Sequence, residues 1–120
     1  MTKIKKDFIY DPSLVLFLPL YELDGASFMD KSHYGHLATA TGALWRPNGR
    51  EFDGVDDKIE IPDQDYWSFA GDFSLIVWAK WTADNSWWIN SLLTQSEKPD
   101  TNKKWYLSYD SGNTATIFHI

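Results

Sequence analysis

The chain has 120 residues, 43% hydrophobic and 23% charged, with no cysteine and a net charge of −6 from 11 Lys+Arg against 17 Asp+Glu. One globular domain with a single core fits that length, and a second has no room. The charge opposes a phosphate backbone, the missing thiols exclude a disulfide framework and a thiol nucleophile, and an aromatic share of 17% favours pleated, half-buried surfaces.

The first dozen residues are polar and end in Asp11-Pro12-Ser13, a turn. The first predicted strand is Leu14–Leu20, whose nearly unbroken apolar character points to burial on both faces, with Pro19 at a strand end or sheet edge. Lys3, Lys5 and Lys6 ahead of that run superficially resemble a signal peptide. Asp7, Asp11 and Pro19, the shortness of the run and the lack of a small-x-small cleavage site argue against one. No other run is long enough to cross a bilayer, so a soluble protein without membrane insertion is expected.

Residues 22–35 read as loop, with Asp24-Gly25 as a turn signal. Leu37–Thr41 is weakly β, a short strand is expected around Leu44 and Trp45, and Pro47-Asn48-Gly49-Arg50 is a strong turn. Lys58-Ile59-Glu60-Ile61 alternates polar with apolar until Pro62, predicting a half-buried strand. Residues 63–71 form a loop or one short helical turn. Phe73–Trp81 is the most strongly patterned strand, with Phe73, Leu75, Val77, Ala79 and Trp81 on one face and Ser74, Ile76, Trp78 and Lys80 on the other.

Trp87-Trp88-Ile89 and Leu92-Leu93-Thr94 supply the next strand or pair of strands. Trp105–Tyr109 and Thr114–Ile120 flank Asp110-Ser111-Gly112-Asn113 as a hairpin. No helical period of useful length, internal repeat or linker interrupts this pattern, so the chain is expected to be an all-β, single-domain protein over residues 1–120.

Three blocks carry a resemblance: Leu14–Leu20, Phe52–Pro62 (Phe-Asp-Gly-Val-Asp-Asp, then Lys-Ile-Glu-Ile-Pro) and Gly71–Lys80 (Gly-Asp-Phe-Ser-Leu-Ile-Val-Trp-Ala-Lys). Their order and spacing resemble the laminin-G-like branch of the concanavalin A-like lectin/glucanase superfamily. The resemblance implies an antiparallel two-sheet β-sandwich of jelly-roll type. It also implies a module of cell-surface, secreted or virion proteins that binds glycans or proteins, often with calcium. Domains of that group run on past the point this sequence reaches, so a partial domain is expected. The closing strand would then present an open edge through which a homo-oligomer forms.

Enzymes of the superfamily cleave β-glucans with carboxylates alternating on one strand face, about 5 Å apart. Here the face Ser74, Ile76, Trp78, Lys80 holds no carboxylate, and Lys58 separates Asp56 from Glu60, so a glycoside hydrolase is the weakest reading. A non-catalytic lectin-like or adhesive module is preferred, with a structural component of a virion or surface assembly as the rival.

Sugar rings stack their C–H faces on indoles and phenols, which makes Trp67, Trp81, Trp87, Trp88 and Tyr109 candidate ligand contacts. For any single aromatic, core packing is the simpler reading. In the adjacent pair Trp87-Trp88, strand geometry sends at least one ring out of an intersheet core. Asp53, Asp56 and Asp57 offer hard oxygens to calcium but break the EF-hand pattern, since Gly54 stands second in the loop, and capping of a tight turn is the preferred role. His33 and His36 have no third metal ligand at clear spacing and read as surface histidines.

Overall fold

The computed structural model describes residues 7–22, 25–81, 90–97, 102–110 and 115–119, with the backbone only at residues 7, 90, 96–97, 102–104, 109–110 and 115–119. Its regular structure is β. Among the described residues the helical elements are short 3-10 turns at Asp7–Tyr10 and Asp65–Trp67, and every ladder is antiparallel. No helix among them is long and apolar enough to cross a membrane. The chain divides into two compact units, Met1–Pro62 and Asp63–Ile120.

In the first unit the strands are β1 (Ser27–Met29), β2 (Leu37–Thr41), β3 (Leu44–Arg46), β4 (Gly49–Glu51) and β5 (Lys58–Glu60). β2 lies between β1 and β5, with Phe28 opposite Ala38 and Ala40 opposite Ile59. Side chains alternate with period two, so Phe28, Ala38, Ala40 and Ile59 share one face, and Phe28 and Ala38 on it are buried. Ser27, Met29, Leu37, Thr39, Thr41, Lys58 and Glu60 take the other face and are exposed. The guanidinium of Arg50 caps the apolar face, 5.2 Å from the Phe28 ring centroid, and donates to the Gly25 carbonyl at 2.6 Å. β3 and β4 form a hairpin around Pro47-Asn48, in register Arg46 to Gly49, and Arg46 pairs with Glu51 at 2.6 Å.

Two expectations change here. β1 lies inside the stretch read as loop, because its three residues are too few to show a period and only Phe28 marks the buried position. Among the described residues Leu14–Leu20 carries no ladder: the segment is half-buried, with Pro19 buried, and the Lys31 N–H donates to the Phe17 carbonyl at 2.8 Å. The carboxylate of Asp30 takes the place of a ladder acceptor, receiving the Phe17 N–H at 3.2 Å. Phe8 closes on Phe17 edge to face, with centroids 5.1 Å apart.

The second unit holds β6 (Asn90–Glu97), β7 (Asn102–Asp110) and β8 (Ala115–His119), a three-stranded sheet in that order. The antiparallel pairing of β7 with β8, which sets Asp110 opposite Ala115, agrees with the expected one. Around Trp105 an aromatic nest assembles. Phe69 stacks on Phe73 at 4.2 Å, Trp105 tilts against both, and the Trp105 indole N–H donates to the Trp67 carbonyl at 3.1 Å. Gln95, buried opposite Trp105, donates to Asp63 Oδ1 at 2.8 Å.

Phe73–Trp81 is the largest departure. No strand is assigned over it among the described residues, although exposure still alternates at its start: Phe73 and Leu75 are half-buried, while Ser74 and Ile76 are exposed. At that end the Phe73 ring lies against Phe69 and against Trp105 of β7. All strands being antiparallel agrees with an all-β fold.

Candidate functional site

The loop joining β4 to β5 brings Asp53, Asp56 and Asp57 together. Gly54 adopts a φ of 77°, a left-handed conformation that turns the chain sharply after Asp53. Asp53 Oδ1 then accepts the Val55 N–H at 2.8 Å and the Asp56 N–H at 3.4 Å, while Asp57 Oδ2 accepts the Asp53 N–H at 2.8 Å. These are the turn-closing bonds that Asp residues are suited to make. The Val55 bond, opposed by some desolvation and assisted by the other loop amides, holds the Asp53 carboxyl below its ordinary value. Asp57 also lies against Gly42, whose φ is 75° and where an added Cβ would fall 1.7 Å from Asp57 Oδ1.

A carboxylate oxygen from each of Asp53, Asp56 and Asp57 lies within 4.8 Å of the others. Oxygens bound to one calcium at 2.3–2.6 Å stand at most about 5 Å apart, so this donor set fits a hard cation. The same loop closes on its own amides without one. Asp53 and Asp56 are exposed and Asp57 is half-buried.

The predicted aromatic contacts separate in the structure. Trp81 is 42% exposed and Trp78, on the opposite parity of the same segment, is 99% exposed. Ile76, 87% exposed, shares the parity of Trp78, and Val77 shares that of Trp81. Trp67 is buried and belongs to the nest around Trp105, which removes it from the ligand-contact set. Its place in the 3-10 turn puts its carbonyl, as well as its ring, into the core. Trp87 and Trp88 lie outside the described residues, and Tyr109 is placed by its backbone in β7, opposite Asn90 and Thr116. Trp78 is the exposed residue that sequence reasoning passed over. Its parity opposite Phe73 was the available signal, because the inward face was already assigned to Phe73, Leu75 and Val77.

A third cluster is internal. Asp30, Ser32 and His36 are all buried. The two Asp30 oxygens accept the backbone N–H groups of Phe17, Ser32 and His36 and the His36 Nδ1–H, the last at 2.9 Å, and the Asp30 N–H donates to the His36 carbonyl at 2.9 Å. Burial, the largest single influence on Asp30, raises its pKa. The bonds from Ser32, His36 and Phe17 together outweigh it and hold the carboxyl below its ordinary value. His36 is therefore not a surface histidine: its ring is fixed by a buried carboxylate and stacks on Tyr34 at 5.7 Å. Although Asp, His and Ser meet here, the Ser32 hydroxyl donates to the Val15 carbonyl at 3.4 Å and accepts the Tyr34 N–H at 3.3 Å. Those bonds are the ones a serine makes in closing a turn.

Comparison with protein-family models, with curated proteins and with solved structures finds no match to this chain.

Proposed function

We propose that the chain is a non-catalytic recognition module of the concanavalin A-like, laminin-G-like kind, its strands layered as a jelly-roll β-sandwich, that binds a glycan or adheres to a protein ligand. The observation that carries the reading is the exposure of Trp78, nearly complete, and of Trp81, partial, within the 73–81 segment. An indole in water is costly unless a ligand covers it, and sugar C–H faces are suited to do so. The all-antiparallel strands and the order of the blocks at 52–62 and 71–80 support the family reading. Calcium, bound by Asp53, Asp56 and Asp57, would stiffen the loop before β5. The setting consistent with such a module is a cell surface, a secreted protein or a virion.

A second reading has its own support. Ile76, two positions before Trp78, is 87% exposed, and a branched aliphatic gives a sugar no stacking face. That feature favours a structural component whose aromatic surface is covered by a neighbouring protein.

Titration of intrinsic tryptophan fluorescence with an oligosaccharide panel, in calcium and again in chelator, tests the proposal. A saturable change that Trp78→Ala and Trp81→Ala each weaken by up to about tenfold is expected, given the about 0.5–1.5 kcal/mol of an aromatic contact. No response to any sugar, together with assembly that rises with protein concentration, would leave the structural reading standing instead.

A further inference from the structure

Asn48-Gly49 is the one Asn-Gly pair in the sequence, and the other asparagines precede Ser, Lys or Thr. The pair sits at the tip of the hairpin of β3 and β4, in register Arg46 to Gly49, where strands of three residues each form a sheet of two. So small a ladder frays at its tip. Asn48 is exposed, and among the described residues its side-chain amide has no hydrogen-bond partner. The nearby cations are engaged elsewhere, Arg46 with Glu51 at 2.6 Å and Arg50 with the Gly25 carbonyl at 2.6 Å. Around Gly49 the space that a Cβ would take is open, with no atom beyond the chain neighbours within 4 Å. A side-chain amide free to rotate therefore stands next to a backbone nitrogen that no side chain of its own residue shields.

Asp53-Gly54, in the same unit, is the contrast. Gly54 is equally open, but Asp53 Oδ1 is tied to the Val55 N–H at 2.8 Å and the Asp56 N–H at 3.4 Å. Those bonds, that from Val55 foremost, also favour its ionised form, and a carboxylate is a poor target for a nitrogen nucleophile. We infer that Asn48 is a site of spontaneous deamidation in the folded chain, and that Asp53 is spared the corresponding isomerisation. The Gly49 nitrogen, its proton lost to water, attacks Asn48 Cγ. The new N–Cγ bond replaces the bond to the side-chain nitrogen, ammonia leaves, and a cyclic imide remains. Water then opens the imide at either carbonyl, giving an aspartyl or an isoaspartyl residue at position 48, with no oxidation or reduction. Either product adds one negative charge to a chain already at −6. The isoaspartyl form also lengthens the turn by one backbone atom, which displaces the Arg46 to Gly49 register. This chemistry is independent of what Trp78 and Trp81 bind.

The test ages the full chain in mildly alkaline buffer, native and in urea, and maps peptides by mass spectrometry after digestion in mild acid, where the imide forms slowly. A gain of one mass unit is expected in the peptide carrying residues 48 and 49, split chromatographically into aspartyl and isoaspartyl forms. Because opening the hairpin tip costs little, the native rate should lie within about tenfold of the rate in urea. The peptide carrying residues 53 and 54 should stay a single peak in the native chain. Asn48→Gln, whose longer side chain would have to close a larger ring, should abolish the gain at that peptide and leave the fold intact. A native chain that keeps its mass at 48 and 49 while the chain in urea gains the unit overturns the proposal, since the folded hairpin would then protect the pair. Splitting at 53 and 54 ahead of 48 and 49 overturns the contrast on which it rests.

Discussion

Along residues 14–20 every side chain is at least half-buried, whereas in residues 73–81 burial fades from Phe73 and Leu75 to Trp78, which is almost wholly in water. Both are apolar runs of similar length without a ladder among the described residues. They differ in what receives their backbone. Phe17 donates to Asp30 and accepts from Lys31, so its peptide groups are satisfied inside the fold. Residues 73–81 are anchored by rings at one end, through Phe69 and Trp105. Apolar patterning thus marks a segment that can turn inward, and a buried polar partner decides where such a segment docks.

The sharpest way to break the contrast is to remove that partner. Asp30→Ala leaves the amides of Phe17, Ser32 and His36 without their acceptor, in a place from which water is excluded. A loss of roughly 3 kcal/mol is expected, since each orphaned buried donor costs about 1–3 kcal/mol before partial rescue by water. Urea unfolding followed by Trp45, whose indole donates to the Tyr21 carbonyl in the same unit, would measure it. An unchanged midpoint would show that the 14–20 segment docks by apolar contact alone.

Next in size is the ring anchor of the other segment. Phe73→Ala removes the stack on Phe69 and the contact with Trp105. Because Phe73 is half-buried, a loss of about 2 kcal/mol is expected, below the 3–5 kcal/mol of a fully buried phenylalanine. If the variant unfolds no more readily than the parent, the nest does not hold the segment.

Acid offers a smaller and graded version of the first experiment. Asp30 is held below its ordinary 3.8, so the folded chain binds fewer protons there than the unfolded one. Its contribution is complete above the unfolded value and is lost as pH falls through the lower, folded value. Stability should therefore decline below about pH 4, and Asp30→Asn, which keeps one acceptor, should flatten that decline while lowering stability at neutral pH. A decline of equal slope in Asp30→Asn would assign the acid sensitivity to other carboxylates.

Much of this was legible in advance. The period-two pattern of Lys58–Ile61, the Pro47-Asn48 turn and the hairpin after Trp105 rest on local chemistry, which a sequence states directly. So does the capped turn at Asp53, because an Asp preceding a positive-φ glycine writes its own hydrogen bonds. What lay hidden depends on distant partners. Nothing near Asp30 announces that it will hold Phe17, 13 residues earlier, and His36 looked like a surface residue because its partner sits six positions away in a loop. The same limit explains Phe73–Trp81: alternation fixes which residues share a face, but not whether a strand lies alongside.

Trp78 provides the finest division between a structural and a functional role for the exposed segment. At 99% exposure its ring contributes almost nothing to the folded chain, so Trp78→Ala should shift stability by less than about 0.5 kcal/mol. Phe73→Ala, five positions earlier on the inward face, should do the opposite, lowering stability while leaving ligand affinity intact in the fraction that stays folded. Thermal unfolding and the oligosaccharide titration, run side by side on the pair, separate the two roles. Should Trp78→Ala prove as destabilising as Phe73→Ala, the indole is packed against protein in solution, and the recognition surface on this segment shrinks to Trp81.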